Sequence, residues 1–426
     1  MRRIIIVFCM MLALSGCSGF MGKSNITNLL SAPKLSQTES EIVKAIDNHI
    51  GENITIKYST PQGYTSPVQL IDIDGDGTDE AVVFYYAPNK GANIRIAMLS
   101  VKDGEWNIVF DKEGLGSDVF YFGVEEFINL STKQILVGYL TTNMDQNFFV
   151  TYFTDPAVNI DDYIESCQDV IVGDINGDKY SEVILTDNTS DSKVRLRSLE
   201  WSEEYDFKVV GTRKLKVYNA EITQLLFGES ADGETVLYVD YRDDYNQMHT
   251  EGILFRDGGK MYDAFEKTVI SRHWEYTKAL NCVDIDEDGI VETPSVIQEE
   301  RTDDPDVLRT VEWTDYTGTE PVRKYIGIYD TQGTIFVAIP DSWQNNVYSR
   351  YSADEWSVCA VQEDEQEPSE DIPLFTVTHL ESPNDAETGA YSYILYKNAK
   401  IWHIEFDRTV DLSEIQYILE SVTDLG

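Results

Sequence analysis

Three short acidic segments place oxygen-bearing side chains at a spacing that suits a hard cation. They are the first loop (residues 72–80, DIDGDGTDE), the second loop (residues 174–182, DINGDKYSE) and the third loop (residues 284–292, DIDEDGIVE). Each has Asp, Asn or Glu at positions 1, 3, 5 and 9 and leads directly into a predicted β-strand. Several carboxylate and carbonyl oxygens around one point form the ligand set that Ca²⁺ prefers. We therefore predict calcium loops, with an acidic turn that holds no metal as the alternative for each.

The position of the last acidic residue separates these loops from the EF-hand. An EF-hand loop carries a bidentate Glu at position 12 and lies between two helices. Position 12 here is Val83, Leu185 or Ser295. Dockerin-type modules share that acidic residue and occur as a close pair, so both families are excluded.

The intervals between the loops indicate a repeat fold. Their first residues lie 102 and 110 positions apart (174 − 72 = 102; 284 − 174 = 110). Around each loop, four short strands fit into about 50 residues, which is typical of one propeller blade. Glu126 and Gly228 mark the corresponding positions in two intervening units, which gives intervals of 54, 48, 54 and 56. We predict a mainly β fold with about five four-stranded blades over residues 60–325.

The loops, together with DIDGDGTDEAVVFYY at residues 72–86, resemble the FG-GAP or VCBS repeat of integrin-α-type β-propellers and of bacterial surface lipoproteins. The resemblance implies a calcium-binding β-propeller in which the metal is structural. It also implies that the main-chain oxygen at position 7 is a ligand. The implied ligands are Asp72, Asp74, Asp76, Thr78 and Glu80 in the first loop, Asp174, Asn176, Asp178, Tyr180 and Glu182 in the second, and Asp284, Asp286, Asp288, Ile290 and Glu292 in the third.

Two of the loops depart from the repeat pattern at a turn position. Gly77 stands where the pattern has its turn glycine, whereas Lys179 takes that place in the second loop. Glu287 replaces another glycine in the third loop. Glycine suits such turns because it adopts the left-handed backbone conformation without steric cost. We therefore expect two to three structural Ca²⁺ sites, with the second loop most in question.

The N-terminus has the pattern of a bacterial lipoprotein signal. Arg2 and Arg3 precede an apolar run at residues 4–14 that is too short to span a bilayer as a mature helix. The run ends in LSGC, which resembles a lipobox and implies cleavage before Cys17 and lipidation of Cys17. We expect an exported protein, anchored by lipid to the outer face of the cytoplasmic membrane. The alternative is an ordinary secretory signal with a chance cysteine.

Local signals divide the remaining chain. Thr38 and Glu41 form the pattern of a capping box that opens a helix, and Gly51 is its expected stop. A second box at Asp411 and Glu414 predicts a terminal helix. The segment FVAIPDSW at residues 336–343 weakly resembles the start of PsbP-like domains. The expected divisions are a signal peptide (1–17), a flexible tether (18–37), an N-terminal helix and lead-in (38–59), the propeller (60–325) and a small α+β domain (326–426).

Composition limits the classes of partner. The net charge is −42, with 75 acidic and 33 basic residues, which disfavours nucleic acid and anionic lipid headgroups. The sequence contains no zincin, G-x-S-x-G, P-loop or dinucleotide motif, so we assign no catalytic residue. The preferred interpretation is a monomeric cell-surface lipoprotein whose propeller binds a protein or glycan. The alternative is an envelope enzyme that acts on polysaccharide through carboxylates on the propeller's loop face.

Overall fold

The protein is mainly β, with six antiparallel sheets and two α-helices in the part of the chain that the structure describes. The predicted fold class is confirmed at this level. The computed structural model describes residues 35–57, 66–127, 132–141, 147–152, 154, 162–202, 206–265, 269–273, 279–297, 308–316, 321–330, 334–352, 355–361, 373–386 and 389–425. The predicted signal peptide, its Cys17 and most of the predicted tether lie outside these residues. Among the described residues, no helix is long and apolar enough to cross a membrane.

The N-cap of helix α1 (Gln37–Ile50) is Ser36 and not the predicted Thr38. The Glu39 N–H donates to Ser36 Oγ (3.2 Å), and the Ser36 N–H donates to the Glu39 carboxylate (2.6 Å). The predicted box was wrong by two residues because the sequence contains two overlapping S/T-x-x-E patterns. The predicted stop is confirmed, since Gly51 is a left-handed C-cap whose N–H donates to Asp47 O.

Five consecutive sheets, named A to E, follow α1. Sheet A contains β1 (Thr55–Ile56), β2 (Val68–Ile71), β3 (Glu80–Tyr86), β4 (Arg95–Lys102) and β5 (Glu105–Glu113). Sheet B contains β6 (Asp118–Glu125), β7 (Gln134–Leu140), β8 (Asn147–Tyr152) and β9 (Tyr163–Cys167). Sheet C contains β10 (Val170–Gly173), β11 (Glu182–Asn188), β12 (Val194–Ser202) and β13 (Asp206–Lys214). Sheet D contains β14 (Glu221–Glu229), β15 (Thr235–Arg242), β16 (Gln247–Arg256), β17 (Lys260–Asp263) and β18 (Ile270–His273). Sheet E contains β19 (Glu292–Ile297), β20 (Arg309–Tyr316), β21 (Pro321–Asp330) and β22 (Ile335–Ala338).

In these five sheets, strands that follow one another in the chain pair side by side. There are two local exceptions, because β1 and β2 both border β3, and β17 and β18 both border β16. In sheet E the strand before the third loop is reduced to a single bridge between Val283 and Glu292. Below, this bridge counts as the first strand of sheet E and β2 as the first strand of sheet A, so that the second strands of the five sheets are β3, β7, β11, β15 and β19. Each sheet is therefore an antiparallel meander of the kind the strand pattern predicts.

The C-terminal segment forms sheet F and helix α2. Its elements are β23 (Val347–Ser352), β24 (Glu355–Ala360), β25 (Pro373–Leu380), β26 (Ser392–Lys397), β27 (Lys400–Phe406), α2 (Leu412–Glu420) and β28 (Thr423–Asp424). The capping box at Asp411 and Glu414 is confirmed. The expected division at residues 325/326 falls inside β21, which pairs with β22, and β28 returns to β22. Sheet E and the C-terminal segment thus share backbone hydrogen bonds.

Sheets A to D pack face to face with their neighbours because their second strands (β3, β7, β11 and β15) are apolar and buried on both sides. Successive side chains of a strand point to opposite faces. In β3, Val82 and Phe84 pack against sheet B, whereas Val83 and Tyr85 join the core beneath α1. The same alternation joins sheet B to C, C to D and D to E. The outward face of sheet A is covered by α1, and that of sheet E by sheet F and α2.

Irregularities of register divide the five sheets into two kinds. In sheets A, C and E, a β-bulge between the third and fourth strands leaves one extra residue in the fourth strand: Val109, Val210 and Lys324. In sheets B and D, the bulge lies between the first two strands and leaves Phe120 and Thr223. The sheets that carry acidic loops therefore alternate with sheets that lack them.

One of the two predicted intervening loop positions was wrong. Gly228 lies within β14, opposite Val236, and the chain turns only at residues 230–234. A Cβ atom at Gly228 would lie 2.2 Å from Val291 Cγ2. The glycine is needed because sheets D and E approach closely here, and the sequence pattern did not distinguish this role from that of a turn glycine.

Candidate metal sites in the acidic loops

The three acidic loops occupy the same place in their sheets, between the first strand and the second. The glutamate at position 9 is the first residue of the second strand and pairs in register with the residue just before position 1. These pairs are Ile71 with Glu80, Gly173 with Glu182 and Val283 with Glu292. Each loop is therefore closed at its base by strand pairing, and its glutamate begins the strand that follows, whose first residues are buried.

The position-9 glutamate is buried in each loop and accepts a main-chain hydrogen bond. Glu80 and Glu182 are each 3 % exposed, and Glu292 is fully buried. Their carboxylates accept from the N–H of position 2, which is the isoleucine after the first aspartate. The N···O distances are 2.9 Å from Ile73, 3.0 Å from Ile175 and 2.8 Å from Ile285.

The first aspartate of each loop organises the turn. Asp72, Asp174 and Asp284 accept from the N–H of position 6 at 3.1, 2.8 and 2.8 Å. The aspartate at position 5 accepts from the N–H of position 7. Those position-7 donors are Thr78, Tyr180 and Ile290, which the family resemblance names as main-chain ligands. All three loops therefore share one hydrogen-bonded frame.

Their backbone conformation is shared as well, even where glycine is missing. Positions 4 and 6 have positive φ in every loop, and the non-glycine cases are Glu287 (62°) and Lys179 (79°). A left-handed conformation costs a non-glycine residue roughly 1–2 kcal/mol. Lys179 therefore strains the second loop without changing its shape.

The centres of the loops differ in what balances the buried charge. In the first loop, carboxylate oxygens of Asp72, Asp74 and Glu80 all lie within 4.8 Å of one another. Asp284, Asp286 and Glu292 form the equivalent group in the third loop, and these are the two such groups among the described residues. Each could hold a cation.

In the second loop an amide takes the central place. Asn176 Nδ2 donates to Glu182 Oε1 (2.7 Å) and to Asp178 Oδ2 (3.1 Å). The loop thus satisfies part of its carboxylate charge with a neutral donor. Calcium binding at the second loop stays a prediction. The geometry of the second loop supports calcium binding less well than the geometry of the first loop.

Burial and mutual repulsion make the charged form of all three glutamates unfavourable. Burial, followed by the charges of Asp74 and Asp76, raises the pKa of Glu80. Burial, with Asp178 and Asp174 nearby, raises the pKa of Glu182 to about 7. Burial, with Asp315 and Asp286 nearby, raises the pKa of Glu292 to about 8. Each loop therefore needs a proton, a donor or a cation at its centre.

Lysines approach the first and third loops in different ways. Lys133 Nζ reaches the main-chain oxygen of Asp72, at 3.2 Å. Lys324 Nζ instead reaches the carboxylates of the third loop: it donates to Asp288 Oδ2, lies 3.1 Å from Asp286 Oδ2 and lies 4.0 Å from Glu292 Oε1. The pattern of acidic residues contains no signal for Lys324, because the lysine comes from a strand 32 residues beyond Glu292 (324 − 292 = 32).

Each loop also contacts the neighbouring sheet. The Lys133 N–H donates to Ile73 O at 2.9 Å, which ties the first loop to sheet B. Ser181 Oγ donates to Glu125 of sheet B at 2.7 Å. The Val291 N–H donates to Glu229 O of sheet D at 3.0 Å. Ordering a loop should therefore also order the contact between two sheets.

A second polar group was not foreseen from the sequence. His249 Nδ1 lies 2.8 Å from Ser271 Oγ, and His249 Nε2 lies 3.1 Å from Asp243 Oδ2. His249 and Ser271 are direct cross-strand partners in β16 and β18, which is sufficient to explain their contact. We assign no catalytic role to this group.

Comparison with known proteins identifies no family. The chain matches no protein-family model, and no curated protein matches its sequence. The resemblance to FG-GAP or VCBS repeats therefore rests on the loop residues and their spacing.

The strain at position 6 can be tested by exchanging residues between loops. We expect Lys179→Gly to stabilise the protein by about 1 kcal/mol or less, because relief of left-handed strain exceeds the added flexibility of the unfolded chain. The reverse change, Gly77→Lys, should destabilise the first loop, where only the backbone is strained because a Cβ meets no atom within 4 Å. Urea unfolding in chelator measures both variants. A Lys179→Gly protein less stable than wild type would contradict this account.

Proposed function

We propose that this protein is an exported, lipid-anchored surface scaffold that is stabilised by calcium and binds a protein or glycan at the cell envelope. The observation that carries the proposal is the first loop, in which the carboxylates of Asp72 and Asp74 converge on that of the buried Glu80.

Calcium is the cation that fits the first loop best. The loop offers only oxygen ligands, and a hard cation that tolerates irregular carboxylate geometry suits it. A bound cation would offset the burial and repulsion that raise the pKa of Glu80. Calcium sites of extracellular modules have dissociation constants of roughly 10⁻⁴–10⁻³ M, which suits an exported protein.

The role of the cation is structural in this proposal. The first loop joins the first two strands of sheet A and bonds to sheet B through the Lys133 N–H. At ~1 mM calcium, a site with a dissociation constant of ~10⁻⁴ M adds about 1.4 kcal/mol to the free energy of unfolding. This is enough to raise the melting temperature measurably.

The five meander sheets are, in this proposal, five blades of propeller type. Support comes from their sequential strand order, from their face-to-face packing and from the alternation of sheets with and without acidic loops. Helix α1 and sheet F cover the outward faces at the two ends of the row. Such a scaffold leaves its loops available for a partner.

Asp74→Asn tests the metal site of the first loop. We expect calcium to raise the melting temperature of the wild-type protein and to have a smaller effect on the variant, because one central carboxylate is lost. Differential scanning calorimetry in EDTA and in roughly 1–10 mM CaCl₂, which is about ten times above the expected dissociation constants of 10⁻⁴–10⁻³ M, measures the difference. Asp103→Asn, at an exposed turn outside the three loops, is the matched control. Identical wild-type melting in EDTA and in calcium would refute calcium stabilisation.

The anchor is tested by Cys17→Ser. We expect the wild-type protein to sediment with membranes and to enter the detergent phase, because it carries diacylglycerol on Cys17. The variant should lose the lipid and move to the soluble fraction, whereas Cys9→Ser, in the same segment, should behave as wild type. Intact-mass spectrometry of the purified protein measures the lipid. Membrane attachment that survives in Cys17→Ser would contradict the proposed anchor.

The binding role is tested by a screen of envelope glycans and envelope proteins against the purified protein. We expect at least one ligand to bind in calcium and to bind more weakly in EDTA, because loop order supports the sheet contacts. Asp74→Asn should reduce binding in calcium, and Asp103→Asn should leave it unchanged. Failure to bind any of these ligands in calcium would count against the scaffold role. The envelope enzyme stays a hypothesis from sequence.

A further inference from the structure

The third loop already contains a cationic group. Lys324 Nζ donates to Asp288 Oδ2 and lies 3.1 Å from Asp286 Oδ2. It also lies 4.0 Å from Glu292 Oε1, so it faces carboxylates from positions 3, 5 and 9 of the loop. These are the positions whose oxygens surround the metal in a calcium loop of this pattern. The ammonium group therefore occupies the region where a cation would bind.

Buried oxygen atoms in this loop favour a donor or a positive charge there. Glu292 is fully buried, and its Oε1 atom has no hydrogen-bond partner. Asp286 Oδ1 is likewise buried and unpartnered. Leaving such carboxylate oxygens without a donor or a cation is costly in a protein interior. Ion pairing with Lys324 offsets that cost, and Tyr325 contributes a further hydrogen bond to Asp286, at 3.1 Å.

The lysine reaches the loop from the β-bulge of sheet E. It is the extra residue between Arg323 and Tyr325 where β21 pairs with β20. The bulges at the same place in sheets A and C have Val109 and Val210 as their extra residues. A bulge redirects a side chain away from the regular alternation of its strand. Only in sheet E, among these three sheets, does this position supply an amine.

We propose that Lys324 is the resident cation of the third loop and takes the place that calcium has in a loop of this type. The loop is then ordered without metal, and calcium binds there only if the ammonium group is displaced. The amine of Lys324 is always present because it belongs to β21, whereas calcium must be supplied from solution. This inference does not depend on calcium binding at the first loop.

Calcium titration of paired variants tests the proposal. In an Asp74→Asn background, which impairs the first loop, isothermal titration calorimetry should detect no calcium at the third loop. Adding Lys324→Met should create one site with a dissociation constant of roughly 10⁻⁴–10⁻³ M, and adding Asp286→Asn should remove it again. Lys112→Met is the matched control, because Lys112 forms an ion pair with Asp162 outside the loops. It should create no site.

Two results of the titration would overturn the proposal. One is a calcium site in Asp74→Asn alone that Asp286→Asn abolishes, because calcium would then bind despite the lysine. The other is the absence of a new site in Asp74→Asn/Lys324→Met. If wild type binds no calcium but Lys324→Met gains one site, the proposed function fails at the first loop while this inference holds.

Melting temperatures provide a second test. Loss of a purely structural lysine would lower the melting temperature, but calcium would not restore it. Lys324→Met should melt at a lower temperature than wild type in EDTA and should regain most of the difference in calcium. Lys112→Met should show no such recovery. A loss of stability in Lys324→Met that calcium does not restore, or no loss in EDTA, would overturn the proposal.

Discussion

Burial of both faces of the second strand in sheets A to D is the constraint on which the row of sheets depends. In β3, the side chains of one face pack with sheet B and those of the other pack beneath α1. A strand that is apolar on both sides cannot leave either face in water, so each sheet requires a neighbour. The ends of the row meet the same requirement with α1 at sheet A, and with sheet F and α2 at sheet E.

This packing also creates the electrostatic problem of the acidic loops. The position-9 glutamate is the first residue of the second strand, so its carboxylate is buried together with the start of that strand. Each loop supplies one main-chain N–H to this carboxylate but also surrounds it with other carboxylates. The loops share a backbone and differ in their compensation: Asn176 supplies an amide in the second, Lys324 an ammonium group in the third, and the first has the converging carboxylates for which we propose calcium.

Much of the fold could be predicted because it depends on local patterns. Short apolar runs and turn residues predicted several short strands around each acidic loop, and the loop intervals predicted an intervening unit between successive loops. Ser36 and Gly228 were misjudged because a capping pattern or a glycine has the same local form whether it serves a helix end, a turn or a close sheet contact.

The sequence by itself determined the strand rhythm, the three acidic loops and their common backbone, because these depend on residues close together in the chain. It also determined that Lys179 and Glu287 stand where glycine is favoured. Only the tertiary structure decided what lies at the centre of each loop. Lys324 reaches Asp286 and Asp288 from a bulge in a different strand, and the burial of Glu292 depends on the packing of sheet E against sheet D. Such contacts join residues that are distant in the chain, and a linear spacing pattern carries no information about them.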